Sequence, residues 1–437
     1  MYGENNLNQP RNLFLNSFWE KYPSADRVLS LFKIKNSPLK PVVARVLNKF
    51  DNFKIELMDQ DDNIIIADFK NCNWILQNEF YSLITPYEVL SNGDWIAVDF
   101  EFNYCCLLSP NNNMNLTMQD NNYNFRNRKT QFRQWMKFKR TIQLFFLDKG
   151  FDEIETPTLV DCPGTEPFLE PFITHFINGK LNKKYYLPTS PELNLKKSLC
   201  RGWANIFEIK NCFRNGESTE IHNYEFHMLE WYRTFSNLED IIDDIFSLLT
   251  YIQFPNWSKS KIIRLTLKDL FLTFCNFNLT PTTNGPELFA LAKKLNLTIS
   301  EKDKSWDFDD LFNFIYVEKI EPNLKIYEFL ILEKYPPSQA ALARLTEDGW
   351  GDRFEFYIAG LEIANAFNEL NDPSIQRIRF QEDLEKKKLH NKTPIDLDDE
   401  FLTCLAQGMP PSSGIALGLE RLFMMYSGIE NIHFIKP

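Results

Sequence analysis

The sequence predicts an α+β protein, an antiparallel sheet flanked by helices and preceded by a small β-rich domain of OB-like type. Three observations point there. Residues 41–102 hold four short β-rich runs. Residues 206–233 hold two apolar strands joined by a polar loop, which makes them an antiparallel hairpin. Residues 412–425, SSGIALGLERLFMM, read as a glycine-rich turn running into a helix.

In chain order, the β-rich runs fall at Pro41–Phe50, Phe53–Met58, Asn63–Phe69 and Asp94–Phe102, with a helix expected over Trp74–Ile84. Strands, then a helix, then a strand suit an OB-like barrel, and an unrelated β module fits almost as well. Residues 1–125 carry 10 Lys and Arg against 15 Asp and Glu, less positive charge than an oligonucleotide-binding barrel usually offers. This first domain spans 1–108, and the asparagine-rich stretch 109–129 reads as a linker. A second domain, 130–437, opens with a helix over Gln131–Lys149 whose apolar positions recur at helical spacing, with Gly150 as its stop. The extended run FDEIETPTLV follows. Residues 235–330 read as a mostly helical insertion.

The 437 residues carry a net charge of −11, which weighs modestly against a large nucleic-acid footprint. No apolar run reaches the roughly 18 residues of a membrane span, and the first residues lack a secretory pattern. Eight scattered cysteines form no CxxC and no metal spacing, which suits free thiols in a cytoplasmic protein.

Five segments offer chemistry. Arg214 ends the first hairpin strand, and Asn215-Gly216 turns the chain. A guanidinium there suits a phosphate oxygen and charge developing on it, although position alone favours a surface arginine at a hairpin tip. The returning strand, Tyr224–Arg233, puts Phe226, Met228, Glu230 and Tyr232 on one face. Phe226 suits stacking under a purine, and Glu230 with Tyr232 suits an amine; an edge strand with Glu230 exposed is the alternative. In Phe354–Leu370, Glu362, Asn365 and Glu369 interrupt an apolar run. Those acids suit Mg²⁺ bridging phosphates, or Glu369 a substrate ammonium, and a solvated face is the alternative. In a straight strand the two acids point oppositely, so a bend near Asn365 is expected. The glycines Gly414 and Gly418 permit close ligand approach, and Arg421 suits a cation–π contact over a base. Ser190 and Glu192 of TSPE either cap a helix or face a substrate amine, with Pro191 between them.

Taken together and in this order, the segments resemble class II aminoacyl-tRNA synthetases of the lysyl type over about 126–437. GFDEIETP is similar to the first motif, FRN…HNYEF to the second and GIALGLER to the third. TSPE at 189–192, MLEWYR at 228–233, PPSQAALA at 336–343 and Ala416 are most similar to the branch that attaches (R)-β-lysine to elongation factor P. The resemblance implies a six- or seven-stranded antiparallel sheet and a homodimer formed through the first motif. It implies ATP binding by Arg214, Asn215, Gly216, Glu217, His222, Asn223, Phe226, Glu362, Ile363, Gly418 and Arg421. Arg214, Arg421 and Glu362 would be catalytic, and Glu362 and Glu369 would hold Mg²⁺. Ser190, Pro191, Glu192, Glu230, Tyr232, Asn365, Glu369 and Ala416 would shape the amino-acid pocket. The expected activity is adenylation of lysine or (R)-β-lysine and transfer to a lysine of elongation factor P; transfer to tRNA and a catalytically silent binding role are the competing expectations. Two departures stand out: Gly216 occupies the place of the second motif's glutamate, with Glu217 following it, and residues 1–125 stand where the synthetase's anticodon barrel would sit, which keeps tRNA open as an acceptor.

Overall fold

A computed structural model describes residues 42–51, 54–58, 64–68, 73–76, 79–81, 95–99, 104–109, 125–298 and 306–435. The chain divides into two compact units, Met1–Thr130 and Gln131–Pro437.

The described part of the first unit is β-rich. Strands β1 (Val42–Lys49), β2 (Lys54–Met58), β3 (Ile64–Asp68), β4 (Asn73–Leu76), β5 (Glu79–Tyr81), β6 (Trp95–Asp99) and β7 (Tyr104–Ser109) form one sheet ordered β3-β2-β1-β6-β7-β4-β5. Ala44, Val46, Ile55, Leu57 and Ile96 are buried by alternation along these strands. The expected helix over Trp74–Ile84 is corrected: Trp74 pairs with Tyr81 across the β4–β5 hairpin. Short apolar runs of three or four residues read as helix or strand alike, and here the partner strand β7 decides. Residues 82–84 and 110–124 lie outside the described residues.

Helix α1 (Phe125–Asp148) starts inside the segment expected to be a linker, and the second unit opens within it at Gln131. Trp135, Phe138, Ile142, Phe145 and Phe146 form its buried stripe. Gly150 ends it at φ 77°, and Phe151 N donates to the Phe146 carbonyl at 3.0 Å, closing the last turn. Ten strands follow, interleaved with eight helices. In order they are β8 (Asp152–Glu153), β9 (Ile173–Asn178), β10 (Leu181–Tyr186), α2 (Glu192–Cys200), β11 (Ile206–Phe213), β12 (Glu225–Thr234), α3 (Leu238–Tyr251), β13 (Ile262–Thr266), α4 (Leu267–Cys275), α5 (Gly285–Lys294), α6 (Phe308–Ile315), β14 (Phe329–Tyr335), β15 (Gly351–Ile358), β16 (Leu361–Asn368), α7 (Pro373–Leu389), α8 (Asp399–Gln407), β17 (Ser412–Gly418) and α9 (Leu419–Ser427).

The main sheet is larger than expected and mixed. It has eight strands, ordered β13-β14-β15-β16-β17-β12-β11-β8, antiparallel in its centre with parallel pairs β13–β14 and β11–β8 at its two edges. The mostly helical insertion therefore contributes a strand: β13 pairs along its whole length with β14. Gly414–Gly418 is also corrected. It is not a turn but the body of β17, an interior strand between β16 and β12. The glycines had suggested a turn, but flanking strands on both sides hold the segment extended.

One face of this sheet packs on α1, α3 and α9 through Phe207, Leu229, Trp231, Phe354, Phe356 and Ile415. Trp231 is fixed at depth, its Nε1 donating to Asp244 at 3.2 Å, and Asp244 also accepts from Arg233 Nε at 2.6 Å. Phe354 is wholly buried at the centre of that layer. Truncating it leaves a large void, so Phe354→Ala is expected to lower unfolding free energy by about 3–5 kcal/mol. Chemical denaturation of the two proteins measures this, and a loss under about 1 kcal/mol contradicts the packing described.

Candidate active site

The opposite face of the sheet bears a cavity of about 340 Å³. Register assembles its walls. Met228 lies opposite Gly418, Glu230 opposite Ala416 and Tyr232 opposite Gly414 across β12–β17. Asn365 lies opposite Ala416 on the other side of β17. Phe226, Met228, Glu230 and Tyr232 share one face of β12, as alternation predicts, while Leu229 and Trp231 enter the core behind. The edge-strand alternative fails because β12 is interior and Glu230 is wholly buried.

Strand β16 achieves what a straight strand cannot. Tyr357 pairs with Glu362 and Phe356 with Ala364, so Ile363 is an extra residue, a β-bulge. Beyond it Ala364 and Ala366 point to the core, and Asn365 and Phe367 point to the cavity. The bulge turns Glu362 to the cavity side as well. The bend thus sits at Ile363, two residues before its expected place.

At one end of the cavity stand Arg214, Glu217, His222, Asn223, Phe226 and Arg421. The Arg214 guanidinium lies 5.1 Å from the Phe226 ring centre. Arg421, in the first turn of α9, donates from Nη1 to the Glu362 carbonyl at 3.0 Å and lies 2.5 Å from His222 Nε2. Burial and the neighbouring Arg421 hold His222 below its ordinary pKa, so its Nε2 accepts that bond as a neutral ring. Gly216 does not line the cavity; it takes φ 85° and turns the chain so that Glu217 does. Glu217 lies 3.8 Å from Arg214. Arg214 Nε, Asn223 Oδ1 and Asn365 Oδ1 are buried without a protein partner, so this wall has unused polar capacity for a ligand.

The other end is acidic. Ser190 and Glu192 line it, and behind them Ser190 Oγ donates to Glu230 at 2.6 Å and Tyr232 OH donates to Glu230 at 3.1 Å. The wholly buried Lys196 joins Glu192 and Glu369, each at 2.5 Å. Pro191 precedes α2 without a side-chain cap, although Ser190 Oγ accepts from Glu192 N at 3.0 Å. Gly414 is required here: a Cβ would fall 2.2 Å from the Tyr232 ring and 2.6 Å from Glu369 Oε1. Burial raises Glu230 well above the usual carboxylate range, and Glu192 adds to the rise. Burial likewise pushes Glu369 up to about 8.

Several expected residues are not on the cavity wall. Pro191, Asn215 and Gly216 shape its loops, while Glu230, Tyr232 and Glu369 form the layer beneath. Ile363 and Gly418 do line it. Glu369 meets Lys196, while Glu362 lies 3.6 Å from Arg421 and feels the carboxylate of Glu355. Burial, then Glu355, pushes Glu362 up to about 7. Glu355 lies across from Asn365 and is held by Arg353 and Tyr357. It was legible as the polar member of FEFYI; Lys196, four residues after Glu192 on α2, was legible as an i,i+4 partner. Glu166, Leu169, Leu342, Phe367 and Glu420 also line the cavity; Leu342, Phe367 and Glu420 fall inside quoted segments but were not singled out, and Glu166 and Leu169 fall in none.

The tRNA synthetases class II (D, K and N) family model matches residues 113–437. The chain belongs to this family. It is 34% identical over 300 residues to the elongation factor P–(R)-β-lysine ligase of Proteus mirabilis, covering 68% of this chain and 90% of that one. The ligase of the same name from Haemophilus influenzae strain PittGG is 34% identical over 296 residues, covering 67% and 89%. The lysine–tRNA ligase of Wigglesworthia glossinidia brevipalpis is 34% identical over 307 residues, covering 67% of this chain and 60% of that one. The fold and the family make this protein a ligase.

Two outcomes follow from this geometry. Gly414→Ala is expected to displace Tyr232 and Glu369 and to abolish amino-acid binding, measured by calorimetry; retained affinity refutes the close approach. Glu362 and Glu369 have folded pKa values above the ordinary 4.5, so each holds a proton more tightly folded than unfolded. Stability of the ligand-free protein is therefore expected to fall as pH rises from about 5 to about 8, and thermal melting across that range checks the sign.

Proposed function

We propose that this protein activates lysine or (R)-β-lysine with ATP and transfers it to a lysine side chain of elongation factor P. The carrying observation is the cavity's polarity. Arginines and unpaired polar atoms occupy one end, and carboxylates outnumber the lysine at the other. Such a site suits a molecule with a triphosphate at one end and an ammonium at the other.

ATP fits the first end. Arg214 and the face of Phe226 meet there, with Arg421 held across the cavity by the Glu362 carbonyl and His222. The described residues hold no group of three or more metal-ligating side chains. A Mg²⁺ site needs less than that, since phosphates and water complete the octahedron. Glu362, with Glu355 beside it, is the set that would hold Mg²⁺; bound there, the ion neutralises phosphate charge. Glu369 belongs instead to the amino-acid end.

The reaction is carboxylate activation followed by acyl transfer. A carboxylate oxygen of the amino acid bonds to the α-phosphorus as the bond to pyrophosphate breaks. Arg214 stabilises charge on the α-phosphate oxygens. The ε-amine of the acceptor lysine then attacks the acyl carbon, loses a proton and expels AMP. The cavity holds both reactants in line, so catalysis is positioning plus electrostatics.

Two observations favour a protein acceptor over tRNA. The chain spans about nine tenths of the elongation factor P ligases it matches but 60% of the lysine–tRNA ligase. The first 125 residues are acidic on balance, which opposes phosphate binding. No helix of the described residues is long and apolar enough to cross a membrane. A homodimer through α1 and the strand after it, in the cytoplasm, completes the reading.

The test is amino-acid-dependent ATP–pyrophosphate exchange with α-lysine and (R)-β-lysine, followed by transfer to purified elongation factor P or to bulk tRNA. Label on the protein supports the reading; label on tRNA alone overturns the acceptor, and no exchange overturns the activity. Arg421→Ala is expected to lower exchange at least a hundredfold with the melting temperature kept, in line with losing one preorganised charged contact, about 2.7–4 kcal/mol. Undiminished exchange contradicts the assigned role. Because bound ammonium favours ionised Glu369 and Glu230, affinity for the amino acid is expected to rise from pH 6 to pH 8 with proton release. Calorimetry in buffers of different ionisation enthalpy reads that release directly.

A further inference from the structure

Glu166 lies in the loop between β8 and β9, far in sequence from the segments discussed so far. It lines the cavity beside Ser190, Glu192 and Arg214. Three features hold it there. The buried Lys387 of α7 donates to the backbone carbonyl of Glu166 at 2.9 Å and to that of Leu169. The carbonyl of Glu170 accepts from Asn215 N at 2.8 Å, tying the same loop to the turn after β11. Gly164, at φ 133°, leaves space that a side chain would fill: a Cβ there would lie 2.2 Å from Glu166 Oε2.

Lys387 therefore fixes the backbone of this loop, and its charge opposes the rise in the Glu166 pKa without pairing with the carboxylate. Among the described residues the Glu166 carboxylate forms no ion pair, in contrast to Glu192 and Glu369, which share Lys196. Burial, reinforced by Glu192, raises its pKa, and Arg214 is close enough to oppose that rise. A rigid loop thus presents an uncompensated acid on the cavity wall, near the arginine that meets the α-phosphate. A cation arriving there gains an ionic hydrogen bond without any reorganisation of the protein.

Geometry along the cavity separates two amine sites. Glu230, Tyr232 and Glu369 lie deepest, wholly or almost wholly buried under Gly414. Glu166 lines the cavity together with Glu192 and Arg214, and the charges of both act on it. A substrate whose carboxylate meets Arg214 and whose far amine reaches the deep acids carries its near amine past Glu166. We propose that Glu166 binds the amine nearest the reacting carboxylate, and that its fixed position sets the preference between an α- and a β-amino group. The proposal rests on the diamino-acid reading above.

The test uses the full chain, its Glu166→Gln variant and three substrates in pyrophosphate exchange: α-lysine, (R)-β-lysine and 6-aminohexanoate, which keeps the far amine and lacks the near one. Glu166→Gln is expected to raise KM for the preferred lysine isomer about ten- to a hundredfold, the range for losing a hydrogen bond to a charged group. KM for ATP and exchange with 6-aminohexanoate stay unchanged, and the ratio between the two lysine isomers falls towards one. Glu166→Asp, which keeps the charge one methylene shorter, is expected to recover part of the affinity and change that ratio. An equal loss on 6-aminohexanoate, or isomer kinetics indifferent to both variants, overturns the assignment while leaving the ligase reading intact. Failure of the unmodified protein to bind or activate any of the three overturns both.

Discussion

One buried ammonium organises the acidic end of the cavity. Lys196 is wholly enclosed and meets Glu192 of its own helix and Glu369 beyond β16, each at 2.5 Å. A charge at that depth survives only with partners, and removing one partner of such a set typically costs about 3–5 kcal/mol. The pairing therefore fastens α2 to the end of β16 and decides where Ser190 and Glu192 stand on the cavity wall. It also leaves the pocket short of positive charge. Glu230, reached from Glu192 through Ser190, has the hydroxyls of Ser190 and Tyr232 as donors but no ion-pair partner among the described residues.

The other end depends on register. β17 runs between β12 and β16, and small residues at Gly414 and Ala416 let Tyr232 and Glu369 close over it. The bulge at Ile363 then reverses the alternation of β16 for one residue, so that Glu362 joins Asn365 on the cavity side while Ile363 enters the core. A one-residue change there would exchange a buried isoleucine for a buried carboxylate. Arg421 reads this backbone directly through the Glu362 carbonyl, which couples α9 to the bulge. The arginine and acid of the phosphate end are thus positioned by one irregularity in the sheet.

Much of this was legible in the sequence. Alternation assigned the faces of β12, helical spacing and Gly150 placed the body and end of α1, and polar residues inside apolar runs marked Glu230, Glu362 and Asn365. What failed did so for a common reason: the deciding information was not local. The glycines of β17 look like a turn until two flanking strands are known. Residues 73–81 look helical until β7 pairs beside them. β13 is five residues in a helical stretch, and only β14 makes it part of the sheet. Glu355 was visible as a polar residue, but its role as neighbour to Glu362 depends on hairpin pairing. Glu166 had no signal, because loop residues carry no periodicity and its value comes from Lys387, 221 residues away.

The turn after β11 shows why spacing in a motif is a weaker constraint than reach. Counting along the chain puts Gly216 where a glutamate is expected, which suggests a lost contact. The backbone answers differently. Gly216 takes a left-handed conformation that other residues adopt only with strain, and nothing crowds the position. Asn215 is held from behind by the Glu170 carbonyl, so the turn must be made within one residue. Glycine makes it, and the next side chain, Glu217, emerges on the cavity wall near Arg214. A glutamate at 216 would have to adopt the same positive φ to keep Asn215 in place. Moving the acid one position along removes that cost while keeping a carboxylate against the arginine. In this chain a carboxylate thus stands near Arg214 although glycine fills position 216.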